Sequence, residues 1–323
     1  MPFKVLVTRR VPQDAIELLK DANYQLDYWE KDDPIPRDEL LKRVKEVDAI
    51  FCLLTEKIDA ELLDAAGPQL KVVATMSVGY DHVNTKELAK RNLHLGFTPG
   101  VLTDATATLN VALLLAVSRR IVEAAAEAKN GGWGTWKPMW MTGATLKGST
   151  VGVVGFGRIG LAVMKRLAPF GVAKFLYNDI IQRDDVAKDV GAVFADRDTL
   201  FRESDFIIAC TLLTDETKGM FNKDAFSKMK KNCIFVNASR GGVVNQDDLY
   251  EALKNGEVRG AGLDVTVPEP IPLDHPLLTL KNCVIVPHIG SAEEATRTDM
   301  ATLTSRNIIA GLKGEKLPAA AQL

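Results

Sequence analysis

Short apolar runs alternate with stretches of helical periodicity along this chain, in two blocks. In the first block, Lys4–Thr8, Ala49–Leu54, Lys71–Ser77 and Leu93–Phe97 read as strands. Helical patterns fall between them, near Pro12–Lys20, Arg37–Lys45, Asp59–Ala66 and Thr85–Arg91. The second block opens at Thr150, with further strands near Phe175–Tyr177, Phe206–Leu212, Cys233–Asn237, Gly260–Val265 and Val284–Pro287. Such alternation predicts an α/β chain with parallel sheets covered by helices on both faces. One helix over Asp104–Asn130, of about 25 residues and capped by Thr103 or Asp104, is predicted to join the blocks. A last helix near Ala292–Leu312 is predicted to return to the first block, which makes that domain discontinuous. The helix Gln246–Lys254 is expected to end on Asn255-Gly256.

At Thr150 the pattern becomes specific. A β-branched run (Val151, Val153, Val154) enters Gly155-x-Gly157-x-x-Gly160, and apolar Ile159, Val163 and Leu167 then recur at helical spacing as far as Pro169. A glycine first allows the tight turn, the second lets a pyrophosphate approach the backbone, and the third lets helix and strand pack closely. The new helix aims free N–H groups and its positive dipole end at the phosphates. This strand–turn–helix context predicts a dinucleotide ligand.

Length and composition remove other classes. At 323 residues the chain suits about two domains. Forty basic against 42 acidic residues, without long runs of either sign, is not the footprint of a nucleic-acid binder. The cysteines (Cys52, Cys210, Cys233, Cys283) are scattered, without metal-ligand spacing, so no metal is expected and reduced thiols point to the cytoplasm. A strand beginning within four residues of Met1 leaves no room for a leader, and Val111–Val117 is too short to span a bilayer. The terminal Ala321-Gln322-Leu323 is a poor peroxisomal address, its middle residue being uncharged.

Acid–base chemistry near neutral pH falls most often to histidine, and there are four. His82 follows a turn, His94 sits within a strand and His275 lies in a Pro-rich loop; these read as structural or solvated. His288 ends the last strand of the second block, and ligands of open α/β sheets sit beyond carboxyl strand ends. Arg240 emerges after Cys233–Ser239, and Glu269 follows Gly260–Val265 between two prolines. A carboxylate beside an imidazole favours the protonated ring, and a guanidinium grips a carboxylate bidentately. The set suits protonation of a carbonyl on an acid held in place.

The motifs GFGRIG, NASRGG, GAGLDVTVPEP and PHIGSA, in this order and spacing over nearly the whole chain, resemble the D-2-hydroxyacid dehydrogenase family. VTRR (Val7–Arg10), TMSVGYDH (Thr75–His82), NGGWGTWKPMW (Asn130–Trp140) and NQDDLY (Asn245–Tyr250) are similar to its branch that reduces hydroxypyruvate to D-glycerate and glyoxylate to glycolate. The resemblance implies a Rossmann cofactor domain over 103–286, inserted into a flavodoxin-like substrate domain of 1–102 and 287–323. It implies His288 as proton donor, Glu269 as its charge partner and Arg240 as carboxylate clamp. Leu53, the Val78 and Gly79 amides and Ser291 would touch the substrate. Gly155, Gly157, Arg158, Ile159 and Gly160 would hold the pyrophosphate, with Leu212, Ala238, Asp264 and Gly290 also against the cofactor. The segment 130–147, with Trp133, Trp136 and Trp140, would be an arm reaching across a homodimer, where Trp140 completes the partner's pocket. No nucleic-acid or membrane partner is implied.

Two departures from the family pattern bear on chemistry. The strand that should end in ribose-binding residues reads Tyr177-Asn178-Asp179-Ile180-Ile181-Gln182-Arg183. Asp179 would repel a 2′-phosphate and favour NADH over NADPH, while Arg183 could turn back and offset that repulsion. Thr108 stands where the family has Glu, which is expected to affect packing or hinge behaviour. Two alternatives remain at this point. Another D-2-hydroxyacid dehydrogenase, such as one acting on phosphoglycerate, would need basic residues that Leu53-Leu54 do not supply. A dinucleotide-sensing corepressor-like protein would carry longer tails.

Overall fold

The computed structural model describes residues 2–323. They form two compact units, one running to Leu102 and resuming at Ser291–Leu323, the other Thr103–Gly290. The first unit runs β1 (Lys4–Val7), α1 (Gln13–Asp21), β2 (Gln25–Tyr28), α2 (Arg37–Arg43), β3 (Ala49–Cys52), α3 (Ala60–Ala66), β4 (Val72–Thr75), α4 (Thr85–Lys90) and β5 (His94–Gly96). Its strands are parallel in the order β2-β1-β3-β4-β5, the flavodoxin-like order. Leu6, Ile50 and Val73 point to one face and pack with Leu62 and Leu88.

The second unit opens with α5 (Thr103–Ser118) and α6 (Ile121–Lys129). The expected single helix is therefore broken, with a 59° bend. Arg120 at the break is left-handed (φ 54°), with its guanidinium on Glu123 at 2.8 Å, and the Ser118 carbonyl accepts from the Ala144 amide. A contact from 26 residues downstream thus ends a helix that its own periodicity would continue. The helix starts at Thr103, so Asp104 lies inside the first turn and pairs with Arg166 at 2.6 Å instead of capping. Thr108 joins this tie, accepting from Arg166 Nε at 3.3 Å.

The unit continues with β6 (Thr150–Val154), α7 (Arg158–Leu167), β7 (Lys174–Asn178), α8 (Asp184–Ala187), β8 (Ala192–Phe194), α9 (Arg197–Glu203) and β9 (Phe206–Ala209). Next come α10 (Lys223–Lys228), β10 (Ile234–Asn237), α11 (Gln246–Lys254), β11 (Gly260–Leu263) and β12 (Cys283–Ile285). Seven parallel strands stand in the order β12-β11-β10-β9-β6-β7-β8, a Rossmann sheet with one extra strand. Side chains alternate faces along a strand, and here both faces are buried. Ile207 and Phe235 join the core on one side, with Phe221 and Leu249. Their neighbours Ile208 and Val236 join the core on the other, with Val163 and Tyr177.

The chain then returns to the first unit through α12 (Glu294–Lys313), whose Gly311 lies so close to Val72 that a Cβ would sit 2.9 Å from it. The buried Asn307 side chain bonds Phe97 O and Ala319 N, fastening the tail beside β5.

The strand pattern missed β2 and β8, which are sheet edges with partly exposed residues and so carry little apolar signal. Among the interior strands β3, β4 and β9 end earlier than their apolar runs, because the chain turns into loops at the carboxyl edge just past Cys52, Thr75 and Ala209, while β7 extends one residue further at each end than its run. No single helix among the described residues is long and apolar enough to cross a membrane.

Candidate active site

The carboxyl edge of the seven-stranded sheet gathers the chemistry of the second unit. After β6 the chain turns at Gly155 with φ +93°, and a Cβ there would lie 2.6 Å from the Cys210 backbone. A Cβ on Gly160 would lie 2.3 Å from Gly155 O, so strand and helix touch through glycine alone. Gly157 differs, since its missing side chain would point into space with no atom within 4 Å. It is also the N-cap of α7, and no side chain caps that helix. The result is a cradle of open N–H groups that fits a dinucleotide pyrophosphate.

Asp179 follows β7. Its Oδ2 accepts the Phe156 amide of the glycine loop at 2.6 Å and its Oδ1 the Ile180 amide at 2.7 Å. Arg183 does not turn back toward it: its amide donates to Tyr177 Oη at 2.8 Å and its guanidinium reaches Asp185 at 3.4 Å. Leu212, beyond β9, is 63% exposed, and Ala238 follows β10 half-buried.

Arg240, Glu269 and His288 come from the loops after β10, β11 and β12, three neighbours in the sheet. The turn before Arg240 is held by fully buried Asn237, which accepts from the Ser239 amide and hydroxyl and donates to Arg240 O. Glu269 Oε1 accepts the Thr266 amide at 3.2 Å, which leaves Oε2 for His288 Nδ1 at 2.8 Å. A carboxylate only accepts, so Nδ1 carries a hydrogen and Nε2 is the ring atom left for a substrate. Burial alone would push the Glu269 carboxyl up. The bond and charge of His288, the Thr266 amide and the Arg240 guanidinium outweigh it and hold the group below the ordinary glutamate range.

His288 itself has φ 52°, an uncommon conformation for a residue with a side chain. Its amide donates to Asp264 O at 2.9 Å, and the next two amides, Ile289 and Gly290, donate to Asp264 Oδ1 (2.6 Å) and Oδ2 (2.8 Å). Asp264 therefore clamps the histidine turn from a buried position. Burial raises its carboxyl above the aspartate range; the two amides and the His288 charge oppose that without cancelling it. This clamp was not legible in the sequence, although an acidic residue ending an apolar strand was a signal.

The first unit places Leu53 after β3, where its amide donates to Glu56 Oε2 at 2.7 Å, and Val78 and Gly79 after β4. Ser291 opens the returning segment and is buried. Of the other histidines, His94 lies on β5 with an exposed side chain, and His275 Nδ1 accepts the Leu277 amide at 3.2 Å. His82 bonds Thr75, a contact that sequence reasoning missed. Trp133 and Trp136 are more than two-thirds exposed on an irregular segment after α6.

A doubly wound dinucleotide sheet that brings an imidazole–carboxylate pair and a guanidinium to one edge defines a nicotinamide-dependent oxidoreductase. The sequence profile of the D-isomer specific 2-hydroxyacid dehydrogenase NAD binding domain matches residues 111–290, and the chain belongs to that family. It is 51% identical over 322 residues to glyoxylate reductase/hydroxypyruvate reductase of Homo sapiens, covering 99% of this chain and 98% of that one. Among solved structures, the TT0316 protein of Thermus thermophilus superposes with a TM-score of 0.93 at 41% identity, covering 99% and 100%. An NADPH-dependent glyoxylate/hydroxypyruvate reductase from Sinorhizobium meliloti, solved with NADP and malonate, superposes at 0.85 with 29% identity, covering 99% and 97%.

Proposed function

We propose that this protein reduces hydroxypyruvate to D-glycerate and glyoxylate to glycolate with a reduced nicotinamide dinucleotide. The observation that carries the reading is the His288 Nδ1–Glu269 Oε2 pair at 2.8 Å beside Arg240, on the same sheet edge as the glycine cradle. When bound, the nicotinamide supplies the hydride that the substrate's carbonyl carbon receives. His288, held through Nδ1 by Glu269, delivers its Nε2 proton to the carbonyl oxygen as charge develops there. Arg240 grips the substrate carboxylate and draws electron density from the adjacent carbonyl. In the first unit, the Val78 and Gly79 amides are donors to that carboxylate, with Leu53 and Ser291 beside the substrate. The first unit is thus the substrate domain and the second the cofactor domain.

The Gly155–Gly160 turn, with Arg158 and Ile159, holds the pyrophosphate, and Leu212, Ala238, Asp264 and Gly290 face the cofactor. NADH is the preferred form: Asp179 sets a carboxylate where NADPH would bring a phosphate, and Arg183 is engaged with Asp185. The protein works as a cytoplasmic homodimer. Its exposed tryptophans suit an arm over a second copy. Burial pushes the Cys210 and Cys283 thiols up to about 12, consistent with inert, reduced cysteines.

The test is to mix the purified protein with each substrate and with NADH or NADPH, and follow loss of the reduced cofactor's absorbance. Turnover of both acids, faster with NADH, is expected. No turnover of either acid would reject the activity, and faster turnover with NADPH would reject the cofactor preference. Arg240→Ala should cost about 10²–10³ in kcat/KM, the range for losing one charge-stabilising donor.

A further inference from the structure

The loop after β4 is held by a line of side chains that the reaction described above does not use. Thr75 and Ser77 are buried and His82 is half-buried. His82 Nε2 lies 3.1 Å from Thr75 Oγ1, Thr75 Oγ1 lies 2.8 Å from Ser77 Oγ, and Ser77 Oγ lies 2.8 Å from Gly79 O. Each hydroxyl has one hydrogen to give. A carbonyl only accepts, so the Ser77 hydrogen goes to Gly79. Ser77 must then accept from Thr75. Thr75, its own hydrogen committed, must accept from His82. All three directions follow, and the ring carries a hydrogen on Nε2.

This line ends on a loop with unused donors. Among the described residues, neither the Val78 nor the Gly79 N–H donates a hydrogen bond to the fold. The loop is tied from its other side as well, because Ser77 O accepts the Thr98 amide at 2.8 Å. Two successive amides without acceptors, on a backbone fixed on both sides, are donors available to an anionic group. Freezing Gly79 O fixes the peptide planes beside it, so the amides need no reordering when an anion arrives.

We propose that His82, acting through Thr75 and Ser77, is a positioning residue that presents the Val78 and Gly79 amides to the substrate carboxylate. This rests on the preceding reading that a 2-oxoacid is the substrate. Thr75→Val removes the central hydroxyl at nearly constant volume. It should raise KM for hydroxypyruvate and glyoxylate about tenfold, the scale of one misplaced hydrogen bond, with a smaller change in kcat. NADH affinity, measured by fluorescence, should stay as in the wild type. Thr75→Ser should restore KM, and His82→Leu should match Thr75→Val.

A folded Thr75→Val protein with unchanged KM overturns the proposal, as does an equal loss of NADH affinity. Should Thr75→Val fail to fold, His82→Leu carries the same comparison. Nitrogen-15 NMR of the His82 ring in the intact protein reads the chain without activity: hydrogen on Nε2 supports it, and a ring with hydrogen on Nδ1 alone overturns it. If the wild type turns over neither acid, the substrate reading fails and the positioning role with it, while the NMR result still decides the hydroxyl chain.

Discussion

A hydrogen bond from an imidazole to a carboxylate settles much of the chemistry at the level of single residues. Burial would raise the Glu269 carboxyl, but the His288 ring, the Thr266 amide and the Arg240 guanidinium together hold it below the ordinary glutamate range. In Glu269→Gln the His288 Nδ1–H loses its carboxylate acceptor, and kcat should drop about a hundredfold, the lower end for proton transfer. A kcat equal to wild type would remove Glu269 from the mechanism. The same depressed carboxyl bears on stability. Its contribution is present above the ordinary glutamate range and is lost as pH falls through the lowered value. Asp264 acts on the backbone instead. Asn in its place can accept only one of the Ile289 and Gly290 amides, so Asp264→Asn should cost roughly 1–3 kcal/mol in chemical denaturation and slow turnover. A variant as stable and as active as the parent would show that the clamp is dispensable.

Elements join through their ends, and the β6–α7 turn separates two uses of glycine. Gly160 has no side chain because Gly155 O occupies the place, while Gly157 has none although the place is open. Gly157→Ala should therefore melt like the wild type yet bind NADH at least about tenfold more weakly, because the methyl group stands where the pyrophosphate approaches. Gly160→Ala should lose both properties, with a stability cost of about 1–3 kcal/mol for overpacking. Calorimetry and fluorescence titration check the contrast. Equal behaviour of the two variants would contradict the assignment of the cradle.

For the molecule as a whole, exposed aromatic surface is the feature that asks for a partner. Trp133 is 71% and Trp136 79% exposed, and Ile121 and Val122 of α6 are each half-exposed nearby in sequence. Large apolar surface left in water marks an interface, and tryptophans there are frequent anchors. Trp133→Ser with Trp136→Ser should raise the dimer dissociation constant at least about thirtyfold, as expected for losing a hot-spot residue. Sedimentation measures it directly. A wild type that sediments as a monomer, or a variant that dimerises equally well, would set the arm aside.

Periodicity and glycine spacing in the sequence alone determined the two α/β blocks, the dinucleotide turn and the strand-end set of Arg240, Glu269 and His288. Each of these is a local consequence: interior strands buried on both faces must be apolar throughout, and a tight phosphate turn admits few residues. Tertiary structure decided what depends on distant partners. It placed β2 and β8 at sheet edges, where weak patterns suffice, and ended α5 through an amide of Ala144. It turned Asp264 into a clamp on His288 and lined up Thr75, Ser77 and His82. Hydrogen-bond direction is a property of atoms in space, and no spacing along the chain encodes it.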